Sequence, residues 1–456
     1  MTVVNLPLEV ISQIGTCLSN RASDLALISL VSKSWWIGTL PALYRSVILK
    51  RNLHVKQFSA ILSSGSVGSV QISSYVRELE IQLRDDDIDE SVLVLLEPWV
   101  QRLSQLSKLR WNLFYIPKNL QLIQRFQKEC PALRSVYIFI PGGIDFFESE
   151  DDPRHTALLG FTNLINFELE IDDFDAGFED TCAWPLMTPL SNCPDLRSLT
   201  LWFHDDNIEY SLDDLVATWD ELILPHLKEL RIPGAVELSR KTLFSPPGEG
   251  SHPFRDFLTR HPQIEVLELG CSSSKIYDGE MNPCHFSLAL PSLKYFGGPD
   301  FVADILVRST VASQLETLII EHCSFDPAAN FLPDKVFNVQ PLSNLRKPRI
   351  GTDDFDHALQ ILKAVIPETE VLEELTTTSV PHYYHRTFLG LLTHAPMLRE
   401  FTMHNSMLLF QAMASNAGLP QIPIPGEEEE VPYKELFKKR MRVICPELKV
   451  INELRW

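Results

Sequence analysis

The chain has 456 residues, of which 45% are hydrophobic and 22% charged, the balance of a folded protein rather than a disordered one. A formal net charge of -20 argues against nucleic acid or an anionic membrane as the main partner. No run reaches the ~18–20 apolar residues of a membrane span, and Glu9 and Gln13 interrupt any leader-like segment. Eight irregularly spaced cysteines and the lack of an Asn-x-Ser/Thr acceptor predict an intracellular chain, cytoplasmic and/or nuclear.

The first predicted helix follows Leu6-Pro7, with apolar residues at Leu8, Ile11, Ile14 and Leu18; proline costs little in a first turn. Asn20 to Asp24 form a polar break in which Ser23 or Asp24 is available to cap a second helix marked by Leu27, Leu30 and Val31. Ser32, Lys33 and Ser34 lead to Trp35 and Trp36. Leu40-Pro41-Ala42-Leu43-Tyr44 predicts a further short turn or helix, and Val47, Ile48 and Leu49 a strand. Helices this short bury too little surface to be stable alone. Their apolar face therefore meets either the domain behind them, as a simple cap, or another protein.

Residues 5–49 resemble an F-box of the kind found in fungal proteins with irregular leucine-rich repeats. The resemblance runs through Leu6-Pro7 with Glu9, then Ile11, Ile14 and Leu18, then Leu27, Leu30-Val31-Ser32-Lys33 and Trp35, and closes on Leu40 to Tyr44 with Val47 to Leu49. It departs at Trp36, where many members carry a polar or basic residue. The resemblance implies docking on the S-phase-kinase-associated adaptor of a cullin–RING ubiquitin ligase. Leu6 and Pro7 would be anchors. Ile11, Ile14, Leu18, Leu30 and Val31 would be divided between interface and helical core, and Trp35 would lock the helices while presenting an edge.

Behind the module one pattern recurs: proline, any residue, an aliphatic, two residues, then apolar-x-apolar. It occurs at Pro131/Leu133/Val136/Ile138, Pro194/Leu196/Leu199/Leu201, Pro225/Leu227/Leu230/Ile232, Pro262/Ile264/Leu267/Leu269 and Pro396/Leu398/Phe401/Met403. Weaker copies start at Pro291 and Pro446. Copies without proline are Val76/Leu79/Ile81, Leu164/Phe167/Leu169 and Leu315/Leu318/Ile320, with incomplete ones at Leu345/Ile350 and Leu372/Leu375. The apolar-x-apolar ends have strand periodicity, and helical segments lie between copies at Phe254–Arg260, Phe301–Val311, Phe355–Ile366 and Phe388–Thr393. One strand and one helix per repeat predict an α/β fold: a short N-terminal helical F-box module (1–49) followed by a curved leucine-rich-repeat-like solenoid (50–456), with a flexible loop at 415–432. The usual asparagine after the strand is largely missing. The rival is an α/β protein with an ordinary parallel sheet, but no phosphate-binding glycine loop follows any strand.

A solenoid lays its strands on a concave wall, so target-binding candidates are residues in or just after strands: Trp202, His204, Asp205, Asp206, Arg231, Glu268, Glu321 and His322. Taken singly, each reads first as a solvent-exposed filler. Acidic stretches at Asp85–Glu90 and Asp172–Asp180 could rim that wall and favour a basic target, or be solvated loops. A third, Glu427–Glu430, reads as part of the flexible loop and precedes a predicted basic amphipathic helix, Lys434–Arg442.

Nothing in the sequence assembles an enzyme site, and no cofactor or metal is implied: the cysteines lack paired ligand spacing, and His382 and His385 lack a third ligand. Cys130, Cys193 and Cys445 precede prolines of the repeat, where a small buried residue suffices. The expected function is substrate recognition in an SCF-type ubiquitin ligase, with an unidentified protein as target. The alternative is a non-catalytic interaction scaffold that recruits no ligase.

Overall fold

Three helices open the chain, α1 (Leu8–Cys17), α2 (Ala22–Ser29) and α3 (Lys33–Leu43). The structure, a computed structural model, describes residues 6–18, 21–64, 71–83, 90–141, 153–172, 184–204, 210–217, 219, 221–234, 236–239, 252–270, 273–275, 282–321, 339–352, 355–404 and 427–454. Pro7 stands immediately before α1, and its carbonyl accepts from the N–H groups of Val10 and Ile11. Neither Ser23 nor Asp24 caps α2. The helical backbone begins at Ala22, which places both inside the first turn, where Asp24 lies 3.8 Å from Arg21. Ser32 caps α3 by accepting from the N–H of Trp35 at 3.3 Å. The segment from Leu40 continues α3, with Pro41 inside it, instead of forming an element of its own. Ile11 is buried between α1 and α3, so close to Gly38 that a Cβ there would lie 2.6 Å from its Cγ2.

The chain divides into two compact units, Met1–Asp205 with Leu224–His226, and Asp206–Ile223 with Leu227–Trp456. In the first, six strands pair in parallel and in chain order: β1 (Ser46–Leu49), β2 (Glu78–Leu83), β3 (Lys108–Leu113), β4 (Ser135–Ile140), β5 (Asn166–Asp172) and β6 (Ser198–His204). The strand predicted at Val47–Leu49 is thus the first of the sheet, paired with β2, and not an appendage of the helices. β3 carries a copy the sequence reading did not recognise, Leu106/Leu109/Trp111.

The second unit repeats the scheme. Between β7 (Tyr210–Ser211), β9 (Val236–Ser239) and β11 (Ser273–Lys275), which form a separate small sheet, run β8 (Glu229–Ile232) and β10 (Val266–Leu269) of the main one. The main sheet continues through β12 (Tyr295–Pro299), β13 (Thr317–Glu321), β14 (Lys347–Gly351), β15 (Glu374–Thr378), β16 (Glu400–His404) and β17 (Val450–Leu454), again parallel and in chain order. The incomplete copies at Leu345 and Leu372 are full members, β14 and β15, with both leucines buried. The predicted helices are present as Pro253–Arg260, Asp300–Arg308, Phe355–Val365 and His385–Leu392. The acidic run at Glu427 is not loop: it opens a helix, Glu427–Ile444, because glutamates are favoured at the positive N-terminal end of a helix. The rest of the expected loop, 415–426, lies outside the described residues.

The recurring proline has a mechanical reason. The N–H of the following aliphatic donates to the carbonyl of the residue before the proline: Leu133 to Cys130 (3.1 Å), Leu196 to Cys193 (3.0 Å), Ile264 to His261 (3.1 Å), Leu398 to Ala395 (3.2 Å) and Leu448 to Cys445 (3.1 Å). Each motif is a turn closed between its first and fourth residues, and proline's fixed φ suits the second. The residue before the proline is buried in all five, and the three cysteines there donate S–H to main-chain carbonyls of Val100, Phe161 and Leu392. The strand residues then alternate, apolar side chains inward and half-buried or exposed ones outward in β2, β3, β5, β6, β8 and β10. A doubly covered parallel sheet would instead be apolar on both faces.

His261 occupies the position that cysteine takes in other copies. It is fully buried, with Nδ1 2.7 Å from the carbonyl of Phe257, and burial lowers its pKa despite that bond. The unfolded chain therefore binds the proton more readily than the folded one, so stability rises with pH. The contribution of neutral His261 is present above the unfolded value of ~6.5 and is lost as pH falls from there toward the lower folded value. His385 and His404 are shifted in the same direction, chiefly by burial. Denaturant midpoints between about pH 7 and 5 should fall less steeply for His261→Cys than for the parent chain. Parallel slopes would show that His261 does not couple to folding.

Candidate functional site

Two surfaces carry the residues singled out in the sequence. The first belongs to the N-terminal helices. Leu30 is 80% exposed, Val31 68% and Leu27 67%, and Leu6, Pro7, Leu8 and Val10 are also exposed. Ile14, Leu18 and Trp35 are half-buried, whereas Ile11 belongs to the core. Ile11 is thus interior, and Leu30 and Val31 lie on the surface. α2 buries Leu25 against the neighbouring helices, and its C-terminal end leaves Leu30 and Val31 in water at a cost of ~1.5–3 kcal/mol per side chain relative to burial. Single exposed aliphatics are ordinary, but several along one short segment are not.

The second surface is the outward face of the strands. In the first unit the register brings Glu80, Arg110, Tyr137, Glu168 and Thr200 side by side, one from each of β2 to β6. The guanidinium of Arg110 stacks on Tyr137, 3.8 Å from the ring centre, and lies 4.0 Å from Glu80 and 3.6 Å from Glu168. One step along the strands, Glu170 accepts from the Tyr137 hydroxyl at 2.5 Å and lies 3.0 Å from Nε2 of His204. The His204 ring stacks on Trp202, centroids 4.9 Å apart and 19° from parallel. Burial, then the bond to Glu170, pushes the Tyr137 hydroxyl pKa up, so it stays a donor. Burial also raises Glu168, with Arg110 opposing.

In the second unit Arg231 pairs with Glu268, lies 3.8 Å from Glu229 and stacks on Tyr295 at 4.9 Å. Glu321 ends β13, in register with Pro299 and Gly351. Asp205, Asp206 and His322 lie outside the described residues, as do Asp85–Ile88 with Asp89, and Asp173–Asp180. Glu90, the last of the first acidic stretch, accepts from the backbone N–H of Lys118 at 3.3 Å, and Asp172 is half-buried at the end of β5. Of the eight target-binding candidates the structure therefore sets Trp202 and His204 together in one cluster, and Arg231 and Glu268 in another.

Sequence reading missed Arg110, Tyr137, Glu168, Glu170 and Tyr295. The signal was available for three of them: Arg110, Tyr137 and Glu168 are the middle residues of apolar-x-apolar triplets, which alternation turns outward.

No catalytic arrangement emerges elsewhere among the described residues. Burial holds the thiol of Cys130 up at about 12 and that of Cys445 at about 11, values at which neither is a nucleophile at neutral pH. His385 stacks on Phe437 with centroids 3.9 Å apart, and no group of three metal-binding side chains occurs among the described residues. No described helix is long and apolar enough to cross a membrane.

No protein-family model matches the chain, and no curated protein matches it. Among solved structures, a chain from the crystal structure of the Rad7 and Elc1 complex in yeast aligns over 99% of this chain and 93% of its own length. The two share 12% identity with a TM-score of 0.42, a likeness too distant to assign function.

Proposed function

We propose that the chain is a non-catalytic substrate receptor of an SCF-type cullin–RING ubiquitin ligase. The N-terminal helices, read as an F-box, dock on the S-phase-kinase-associated adaptor, and the strands, read as an irregular leucine-rich-repeat array, hold a protein target on their outward face. The observation that carries this reading is the apolar surface around Leu30 and Val31, in the order of residues that resembles an F-box. A cap packed on the array would bury these side chains. The outward strand face supports the second half, since it is solvated and lined by aromatic and charged groups suited to anchoring a polypeptide.

The test is copurification of adaptor and cullin with the intact chain. Leu30→Ala with Val31→Ala should weaken adaptor binding by well over tenfold, since each anchor contributes about 1.5–3 kcal/mol when buried. Both positions are exposed in the free chain, so its thermal midpoint should not move. A truncation used alongside should remove residues only as far as Leu43, because deletion through Leu49 also removes β1 from the sheet. A folded intact chain that captures no adaptor would sink the ligase reading in favour of an interaction scaffold.

A further inference from the structure

The outward faces of both units repeat one device: an aromatic ring with a guanidinium stacked on it and carboxylates beside the cation. Arg110 fills it over Tyr137, flanked by Glu80 and Glu168. Arg231 fills it over Tyr295, flanked by Glu229 and Glu268. Planar guanidinium suits both halves of such a site, stacking on the ring while its edge N–H groups reach the carboxylates.

Trp202 is a further ring on the outward face of the first unit, and 38% of its surface is exposed. Glu170 and Asp172 stand on the adjacent strand, in register with Trp202 and His204 respectively. His204 stacks on one face of this ring while its Nε2 meets Glu170, and among the described residues no arginine or lysine stacks on the indole, so a guanidinium would take the other face. Each Glu170 oxygen has one partner, the Tyr137 hydroxyl on one and His204 on the other. A carboxylate offers about four acceptor sites, so two remain open and the group is already oriented. The chain offers no basic residue from the stretches that follow the two strands: 173–183 carries Asp173, Asp175, Glu179 and Asp180, and 205–209 carries Asp205, Asp206 and Glu209, with no lysine or arginine in either.

We propose that Trp202, with Glu170 and Asp172, is the receptor for an arginine side chain presented by a basic segment of the protein target. The bound guanidinium stacks on the indole and donates to the two carboxylates, completing the arrangement that Arg110 and Arg231 complete elsewhere. The site favours arginine over lysine, because a planar guanidinium stacks flat on the indole while its edge N–H groups fork onto the carboxylates, whereas an ammonium is a compact, strongly hydrated point charge. The surrounding negative charge speeds encounter with a basic segment and repels nucleic acid. This assignment rests on the reading of the strand face as the target-binding surface.

The experiment uses the full chain and fluorescence anisotropy at low salt, with a labelled Gly-Ser-Arg-Gly-Ser-Arg-Gly-Ser peptide and its lysine and citrulline counterparts. The arginine peptide should bind, the lysine peptide more weakly, and the citrulline peptide, which keeps the shape without the charge, not at all. Trp202→Ala and Glu170→Gln should each weaken arginine-peptide binding by about tenfold, and Trp202→Tyr should restore most of it. Arginine and citrulline peptides that bind alike to the parent chain would overturn the proposal without any variant. Equal affinity of parent and Trp202→Ala would also overturn it, placing the peptide elsewhere on an acidic protein. So would tighter binding of a single-stranded oligonucleotide that depends on Trp202. None of these readings involves the adaptor, and Trp202→Ala should leave adaptor capture unchanged, so this proposal and the ligase reading fail separately.

Discussion

Trp111→Ala is expected to lower the stability of the first unit by about 3–5 kcal/mol, the usual cost of emptying a large buried aromatic site. Trp111 is 2% exposed and sits at the centre of β3, where the register stacks Leu49, Ile81, Trp111, Ile138, Leu169 and Leu201 into one inward row. The indole is the largest side chain in that row. Its aliphatic neighbours on β2 and β4 are held by parallel ladders on their far sides as well, so they cannot close fully on the void. In an array each strand packs on the one before and the one after, so the loss should be local. Hydrogen exchange is the suitable measurement: amides of β2 to β4 should lose protection while those of β13 to β16 keep theirs. Trp111→Phe should recover most of the stability. Uniform loss of protection across both units would show a single cooperative fold in place of nearest-neighbour packing.

Gly270→Ala should cost about 3 kcal/mol or more in the second unit, at the upper end of what overpacking does. A Cβ at Gly270 would lie 2.1 Å from the carbonyl oxygen of Gly234 and 2.4 Å from its nitrogen. These are main-chain atoms, so no side chain can swing aside. Gly234 itself has φ 102°, a conformation that L side chains rarely adopt, so the obstructing backbone cannot be remade with an ordinary residue either. The Gly270 N–H also donates to the carbonyl of Ile232 at 2.7 Å, and this is where β8 and β10 end before the chain enters β9 and β11. Gly390→Ala makes the contrasting control. Gly390 lies within the helix His385–Leu392 with nothing within 4 Å of its Cβ direction, and alanine there should stabilise by up to ~1 kcal/mol. Denaturant midpoints that shift the same way for both substitutions would contradict this account.

The two candidate surfaces were legible to different degrees. The N-terminal segment was named residue by residue from helical spacing and resemblance, but spacing alone left Ile11 and Leu30 equivalent. They differ because α3 brings Gly38 over Ile11, whereas Leu30 and Val31 fall at and beyond the end of α2. On the strands, Trp202, His204, Arg231 and Glu268 were picked one at a time as aromatic or charged residues in a strand. What gathers them into clusters is who stands on the other strands: Glu170 beside Trp202, 32 residues away in the chain, and Tyr295 near Arg231, 64 residues away. The helix expected over Lys434–Arg442 is present but begins earlier, at Glu427, where the acidic run reads as loop. The small β7–β9–β11 sheet was missed because it does not carry the repeat pattern, and the incomplete copies at Leu345 and Leu372 were under-read because Pro348 and Thr377 stand where the pattern expects aliphatics.

The sequence by itself determined the parallel α/β plan, since the spacing of aliphatics dictates which side of each strand faces inward, and the recurring proline dictates the turn that starts it. These are local properties, set within about ten residues by φ restriction and alternation. Only the tertiary structure decided which exposed leucines form the N-terminal apolar surface, and which outward residues of successive strands complete an aromatic–carboxylate site. Those choices depend on register between strands and on helix crossing, and neither is encoded in the segment that carries the side chain.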